Sequence, residues 1–109
     1  MSDSIDIPDG YTTTRTVPGI PGLHPELTIV YRPALARERI AYRSKSNSSD
    51  PTVLDLHEID LVQKYTVSLN GRTLAVKDEI ARIKPIVRQH IVDLILGYIP
   101  ADEGKDAKN

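Results

Sequence analysis

Along this chain the hydrophobic period runs at two residues, changes to about 3.6, returns to two, and ends at about 3.6. That alternation excludes an all-helical bundle and an all-β sandwich. It leaves a mixed domain in which short strands and helices arrive in groups. Residues 11–17 (YTTTRTV) alternate β-branched and polar side chains, the pattern of a strand with one wet face. Residues 27–31 (LTIVY) read as its partner. Pro18, Gly19, Pro21 and Gly22 between them supply fixed and positive φ, so a hairpin with a long, proline-stiffened loop is expected.

Tyr31 closes that second strand, and Pro33 suits the first position of a helix over 33–44 (PALARERIAYRS), where its missing N–H costs nothing. Leu35, Ala36, Ile40 and Tyr42 would give this helix one apolar stripe. A polar linker (SKSNSS) follows at 44–49. Asp50 and Pro51 then read as a cap and first residue of a helix over 51–62, with Leu54, His57 and Leu61 at i, i+3 and i+7. Residues 64–69 (KYTVSL) alternate as a strand. Asn70-Gly71 is the strongest hairpin signal in the chain, with 72–76 as the expected return strand. A short helix over 78–83 and a longer one over 85–96 complete the reading. In the latter Val87, His90, Ile91, Leu94, Ile95 and Tyr98 keep one face, and Gly97 and Pro100 stop it. The expected fold is therefore α+β, a small antiparallel sheet of two hairpins with about four helices in the order ββααββαα.

With 109 residues there is room for one domain. It is expected over 10–99, between a disordered acidic tail at 1–9 and a second disordered tail at 100–109. Neither Trp nor Phe is present, so the core must be aliphatic, with tyrosines at its margin. The lack of cysteine removes disulfides and thiol chemistry and fits a reducing cytosol. The acidic N-terminus is expected to be neither a signal nor a transit peptide. The most apolar run, 91–99, is about half the length a membrane span needs.

Catalytic constellations are hard to find. The serines at 46, 48 and 49 sit in the linker with no base beside them. Asp55, Glu58 and Asp60 read as the wet face of one helix rather than a pair of acid–base carboxylates. His57 and His90 each have an aspartate three residues on, but on separate helices; hydrogen-bonded structural roles are expected for both, and exposure for His24. The 18–22 loop lacks the Lys-Ser/Thr end of a phosphate cradle. No enzyme activity, cofactor or metal is expected. What stands out is charge. Residues 32–45 carry five basic side chains (Arg32, Arg37, Arg39, Arg43 and Lys45) against one acid, Glu38. The following helix carries Asp50, Asp55, Glu58 and Asp60 and no base through residue 60. Three readings are open to the basic helix: a nucleic-acid or regulatory surface meeting phosphates; a protein surface meeting acids, including the acidic helix of a second copy; and a solvated face or internal pairing with that acidic helix. A net charge of −1 weighs against a dedicated nucleic-acid binder.

Gly19, Gly22 and Pro25, then the short strand into YRPALARERIAYR at 31–43, resemble a known family. So do the following linker and helix, the strand with Tyr65, the Asn-Gly turn and the closing IKPIVRQHIVDLILG at 83–97. The pattern, covering roughly residues 10–98, is similar to the small tail assembly chaperones of tailed bacteriophages and prophages, encoded just ahead of the tape-measure protein. The resemblance implies a non-enzymatic protein that coats the aggregation-prone tape-measure protein in the host cytoplasm until tail-tube subunits replace it, and that self-associates. Tyr31, Arg32, Arg37, Arg39 and Arg43 are then the candidate partner-binding residues.

Overall fold

The computed structural model describes Ile7 and residues 10–99; the tails expected at 1–9 and 100–109 otherwise lie outside the described residues. The elements are β1 (Thr13–Val17), β2 (Leu27–Tyr31), α1 (Ala36–Ser46), α2 (Pro51–Tyr65), β3 (Thr66–Leu69), α3 (Lys77–Ala81) and α4 (Pro85–Ile95). The fold is α+β, as expected, with the order ββααβαα. Its three-stranded antiparallel sheet has the order β1-β2-β3. The first hairpin forms with Thr13 opposite Tyr31 and Val17 opposite Leu27. Its loop tightens where Ile20 and His24 exchange backbone hydrogen bonds of 2.9 and 3.1 Å, with Gly22 at φ 83°.

The second hairpin does not form. Asn70 and Gly71 make the expected turn, both at positive φ (52° and 80°). Leu69 and Arg72 pair once across it, and the chain then departs. The departure has two causes. Asn70 is bound to β2: its N–H donates to Thr28 O (2.8 Å), its Oδ1 accepts from Thr28 N (2.6 Å) and its Nδ2 donates to Glu26 O (3.1 Å). Beyond the turn, Leu74 is buried and Ala75 O accepts from Gln63 Nε2 of α2 at 2.8 Å. Residues 72–76 therefore cross to α2 instead of lengthening the sheet, and β3 pairs with β2, Ile29 opposite Leu69.

Burial along β2 alternates: Leu27, Ile29 and Tyr31 point into the core and Thr28 is exposed. Against that inward face pack Leu61 and Val62 of α2, Val87, Ile91, Val92, Leu94 and Ile95 of α4, and Leu74, Ile80 and Leu96. The core is aliphatic, but Tyr31 lies inside it, while Tyr42 and Tyr65 take the margin. Helix α2 starts as expected, with Asp50 Oδ1 accepting from Thr52 N at 3.0 Å and Pro51 in the first turn. It runs on through Lys64 and Tyr65, which the alternating pattern of 64–69 places in the strand. Helix α4 ends in a Schellman turn: Gly97 takes φ 85°, Tyr98 N donates to Asp93 O (2.8 Å) and Gly97 N to Leu94 O (3.1 Å).

Pro33 does not start α1. Its effect on the residue before it holds Arg32 extended. Arg32 N then donates to Tyr65 O (2.7 Å) and Ala34 N to Ile95 O (2.9 Å), so the chain stays on the sheet side until Leu35 and helix begins at Ala36. The apolar stripe expected of this helix is also absent. No α1 residue is buried, and Leu35 and Ile40 are exposed. Among the described residues no helix is long and apolar enough to cross a membrane.

Candidate partner-binding surface

The chain between β2 and α1 passes over the end of α2 and makes a cleft of about 160 Å³. Tyr11 from the strand approach, Leu35 and Arg37 from the start of α1, and Arg32 and Tyr65 line it. Tyr11 and Leu35 are 41% and 48% exposed, so the cleft offers apolar surface to solvent. Its floor is anchored: the Arg32 guanidinium donates to Lys64 O, and Tyr65 Oη donates to Glu38 Oε2 at 2.6 Å. Lys64 lies 3.4 Å from the same carboxylate oxygen, with its ammonium 5.3 Å from the centre of the Tyr65 ring. The Tyr65 hydrogen bond, with Lys64 assisting, holds the Glu38 carboxyl below its ordinary range despite partial burial. Desolvation, reinforced by Glu38, pushes the Tyr65 phenol up.

The five candidate residues separate by position. Tyr31 is in the core and presents nothing to a partner. Arg32 holds Lys64 O, and Arg39 Nη1 donates to Leu96 O at 3.1 Å, covering a carbonyl at the end of α4. Arg37 and Arg43 are exposed, and among the described residues neither makes an ion pair. Internal pairing of α1 with the acids of α2 is therefore not how these charges are met. Arg88 of α4 takes Asp55 and Glu58, both at 2.9 Å, and Lys77 takes Asp60 at 2.7 Å.

Glu58 is not on a wet face. Its side chain is 4% exposed, and it accepts from Tyr42 Oη (2.7 Å) and Arg88 Nε (2.9 Å), joining α1, α2 and α4. Spacing could have located it: Glu58 lies four residues after Leu54 and three before Leu61, inside the stripe those leucines mark. The histidines also depart from expectation. His24 is buried; its Nδ1 donates to Pro25 O at 2.7 Å, its Nε2 has no partner, and its ring meets His90 edge-on at 5.7 Å. His57 Nε2 is buried and unpartnered beside the Tyr42 ring, 6.2 Å away. Asp60 and Asp93 pair with Lys77 and Gln89, not with these histidines. Among the described residues no group of three or more His, Cys, Asp or Glu side chains is placed to hold a metal ion.

Because α1 has no fully buried residue and packs on the core only through half-buried Tyr42, its attachment leans on these polar contacts, and it should respond to pH. Burial, then the Glu58 hydrogen bond, pushes the Tyr42 phenol up to about 12. A group whose folded pKa is raised contributes fully below its unfolded value and loses the contribution as pH rises through the folded value. Attachment of α1 should therefore weaken between about pH 10 and 12. A spectrophotometric titration should show the Tyr42 phenolate emerging only near 12, and Tyr42→Phe should remove that late step. Glu38 acts in the opposite sense, its contribution present above its ordinary value of 4.5 and lost as pH falls below it.

Comparison with protein-family models, with curated proteins and with solved structures finds no match for this chain.

Proposed function

We propose that this chain is a non-enzymatic assembly protein of the phage tail-chaperone kind, which holds an aggregation-prone partner such as the tape-measure protein at the cleft between β2 and α1. One observation carries the reading. The cleft places exposed apolar side chains, Tyr11 and Leu35, beside Arg37, a cation with no ion-pair partner among the described residues. Such a slot suits a segment with an apolar residue next to an acidic one: the apolar contact excludes water and the arginine fixes register. The resemblance of residues 10–98 to tail assembly chaperones supports the same reading. A nucleic-acid surface is less favoured, because Arg32 and Arg39 already donate to carbonyls and the chain is slightly acidic overall.

The test is co-expression with a tape-measure protein encoded beside this chain. The wild type should raise the soluble yield of the tape-measure protein several-fold, and Leu35→Asp should remove most of that gain. Leu35 is the N-cap of α1, where aspartate is favoured, so this variant keeps or strengthens the helix and a loss cannot be put down to unfolding. No gain with the wild type would overturn the proposal.

A further inference from the structure

The chain contains one Asn-Gly pair, and the fold grips it. Asn70 and Gly71 turn the chain at positive φ, and both polar atoms of the Asn70 side chain are bound to the strand beside them. Its Oδ1 accepts from Thr28 N at 2.6 Å and its Nδ2 donates to Glu26 O at 3.1 Å. We propose that this turn is a site of spontaneous covalent modification held in check by that clamp. Once the clamp opens, Asn70 exchanges its amide for water and becomes aspartate or isoaspartate, and the clamp cannot close again.

The reaction needs only water and solvent base. The Gly71 amide nitrogen gives up its proton and attacks Cγ of Asn70. The bond from Gly71 N to Cγ forms, the Cγ–Nδ2 bond breaks, and Nδ2 leaves with a proton as ammonia, closing a succinimide ring. Water then opens the ring. Cleavage between Gly71 N and Cγ leaves aspartate. Cleavage between Gly71 N and the main-chain carbonyl carbon of Asn70 leaves isoaspartate, whose main chain runs through the side-chain carbons. One water enters and one ammonia leaves, with no change of oxidation state. The residue after the asparagine decides how freely its nitrogen reaches Cγ. Gly71 has no Cβ, and no atom outside its chain neighbours lies within 4 Å of where one would be. Both residues are exposed, so water and base reach the turn.

The clamp holds the electrophilic carbon away from this nitrogen. Attack requires the Asn70 side chain to rotate until Cγ faces Gly71 N, whereas two hydrogen bonds fix the amide toward β2. The rate in the folded chain is therefore the rate of the free turn multiplied by the fraction of time the turn is open. Two bonds of ordinary strength slow it by about tenfold or more.

Reclosure fails because of what the reaction leaves. In aspartate an oxygen replaces the Nδ2 donor and meets Glu26 O, acceptor against acceptor. In isoaspartate the main chain gains a carbon inside the turn. The Asn70 N–H that donates to Thr28 O at 2.8 Å and the pairing of Leu69 with Arg72 then lose their register. Because ammonia is lost, the modification records irreversibly the time a chain has spent with its turn released from β2.

Asn47, exposed at the end of α1 and followed by Ser48, whose Cβ hinders attack, is the internal reference. The full chain is incubated at mildly alkaline pH in buffer and in denaturing guanidinium chloride, then cut with trypsin after Lys45, Lys64 and Arg72. Mass spectrometry reads the exchange of NH2 for OH in residues 46–64 and 65–72. In denaturant Asn70 should convert faster than Asn47. In buffer the ratio of their rates should fall by about tenfold or more. An unchanged ratio overturns the proposal. Asn70→Asp should also unfold at a lower denaturant concentration than the wild type, and a variant that does not fold is the same result in its extreme form. An Asn70→Asp chain as stable as the wild type overturns the proposal as well, since the clamp then closes over the acid. Neither measurement involves the tape-measure protein, so the outcome is independent of partner binding at the cleft.

Discussion

Glu58→Ala should cost about 3 kcal/mol of folding stability, an unusual penalty for removing a glutamate from a helix. At an exposed helical site the same change would be near neutral, because alanine is the better helix former. Here the carboxylate is almost fully buried, and its removal leaves the Tyr42 hydroxyl without its acceptor and the Arg88 guanidinium, 13% exposed, without its buried one. Asp55 still meets Arg88 at 2.9 Å but is itself 58% exposed, which places the cost toward the lower end of what breaking a buried ion pair entails. A domain of this length loses about 4–8 °C of melting temperature per kcal/mol, so thermal denaturation should shift by about 12–24 °C. Replacing both charges together, Glu58→Leu with Arg88→Met, should cost less than Glu58→Ala alone, since no buried charge is then left uncompensated. If the single variant melts within a few degrees of the wild type, the network is not what fastens α1 and α4 to α2.

The elements that the sequence made legible are those whose signals are local. Asp50 caps α2, Asn70-Gly71 turns, Gly97 closes α4 and the first hairpin takes its alternating pattern, each decided by groups a few residues apart. Features that escaped were decided by distant partners. Pro33 carries a sound helix-start signal, but hydrogen bonds from Arg32 N and Ala34 N to carbonyls near the ends of α2 and α4 keep the chain extended past it. Residues 72–76 follow a strong turn, yet Asn70 clamps the turn to β2 and Gln63 draws Ala75 to α2. The surface around α1 was half legible. Its charge could be counted from the sequence, but which arginines were already committed to carbonyls could not, because Leu96 and Lys64 lie far along the chain from Arg39 and Arg32. The network at Glu58 was legible only in its centre: the place of Glu58 between Leu54 and Leu61 marks an inward position, but its partners, Tyr42 on α1 and Arg88 on α4, lie far along the chain.

Ile29→Ala should be the most damaging single truncation in the sheet, costing about 4 kcal/mol. Ile29 lies on the middle strand, opposite Arg15 on one side and Leu69 on the other, and it is fully buried in the core with Ile91 and Ile95. The cost of such a cavity depends on how far the surroundings can collapse into it. Here collapse is restricted, since strands pair with both edges of β2 and Leu61, Val62 and Leu94 of the facing helices are themselves buried in the same cluster. The lack of Phe and Trp makes this sharper. Each aliphatic side chain fills a small share of the core, and the ring buried there, Tyr31, is fixed on the same strand as Ile29. Ile29→Val, which removes one methyl group and keeps the β-branch, should cost about 1 kcal/mol. Ile40→Ala, the same truncation on the exposed face of α1, should stay within about 0.5 kcal/mol of the wild type. Urea denaturation of the three variants separates packing from residue type: if Ile29→Ala and Ile40→Ala cost the same, the core does not sit beneath β2.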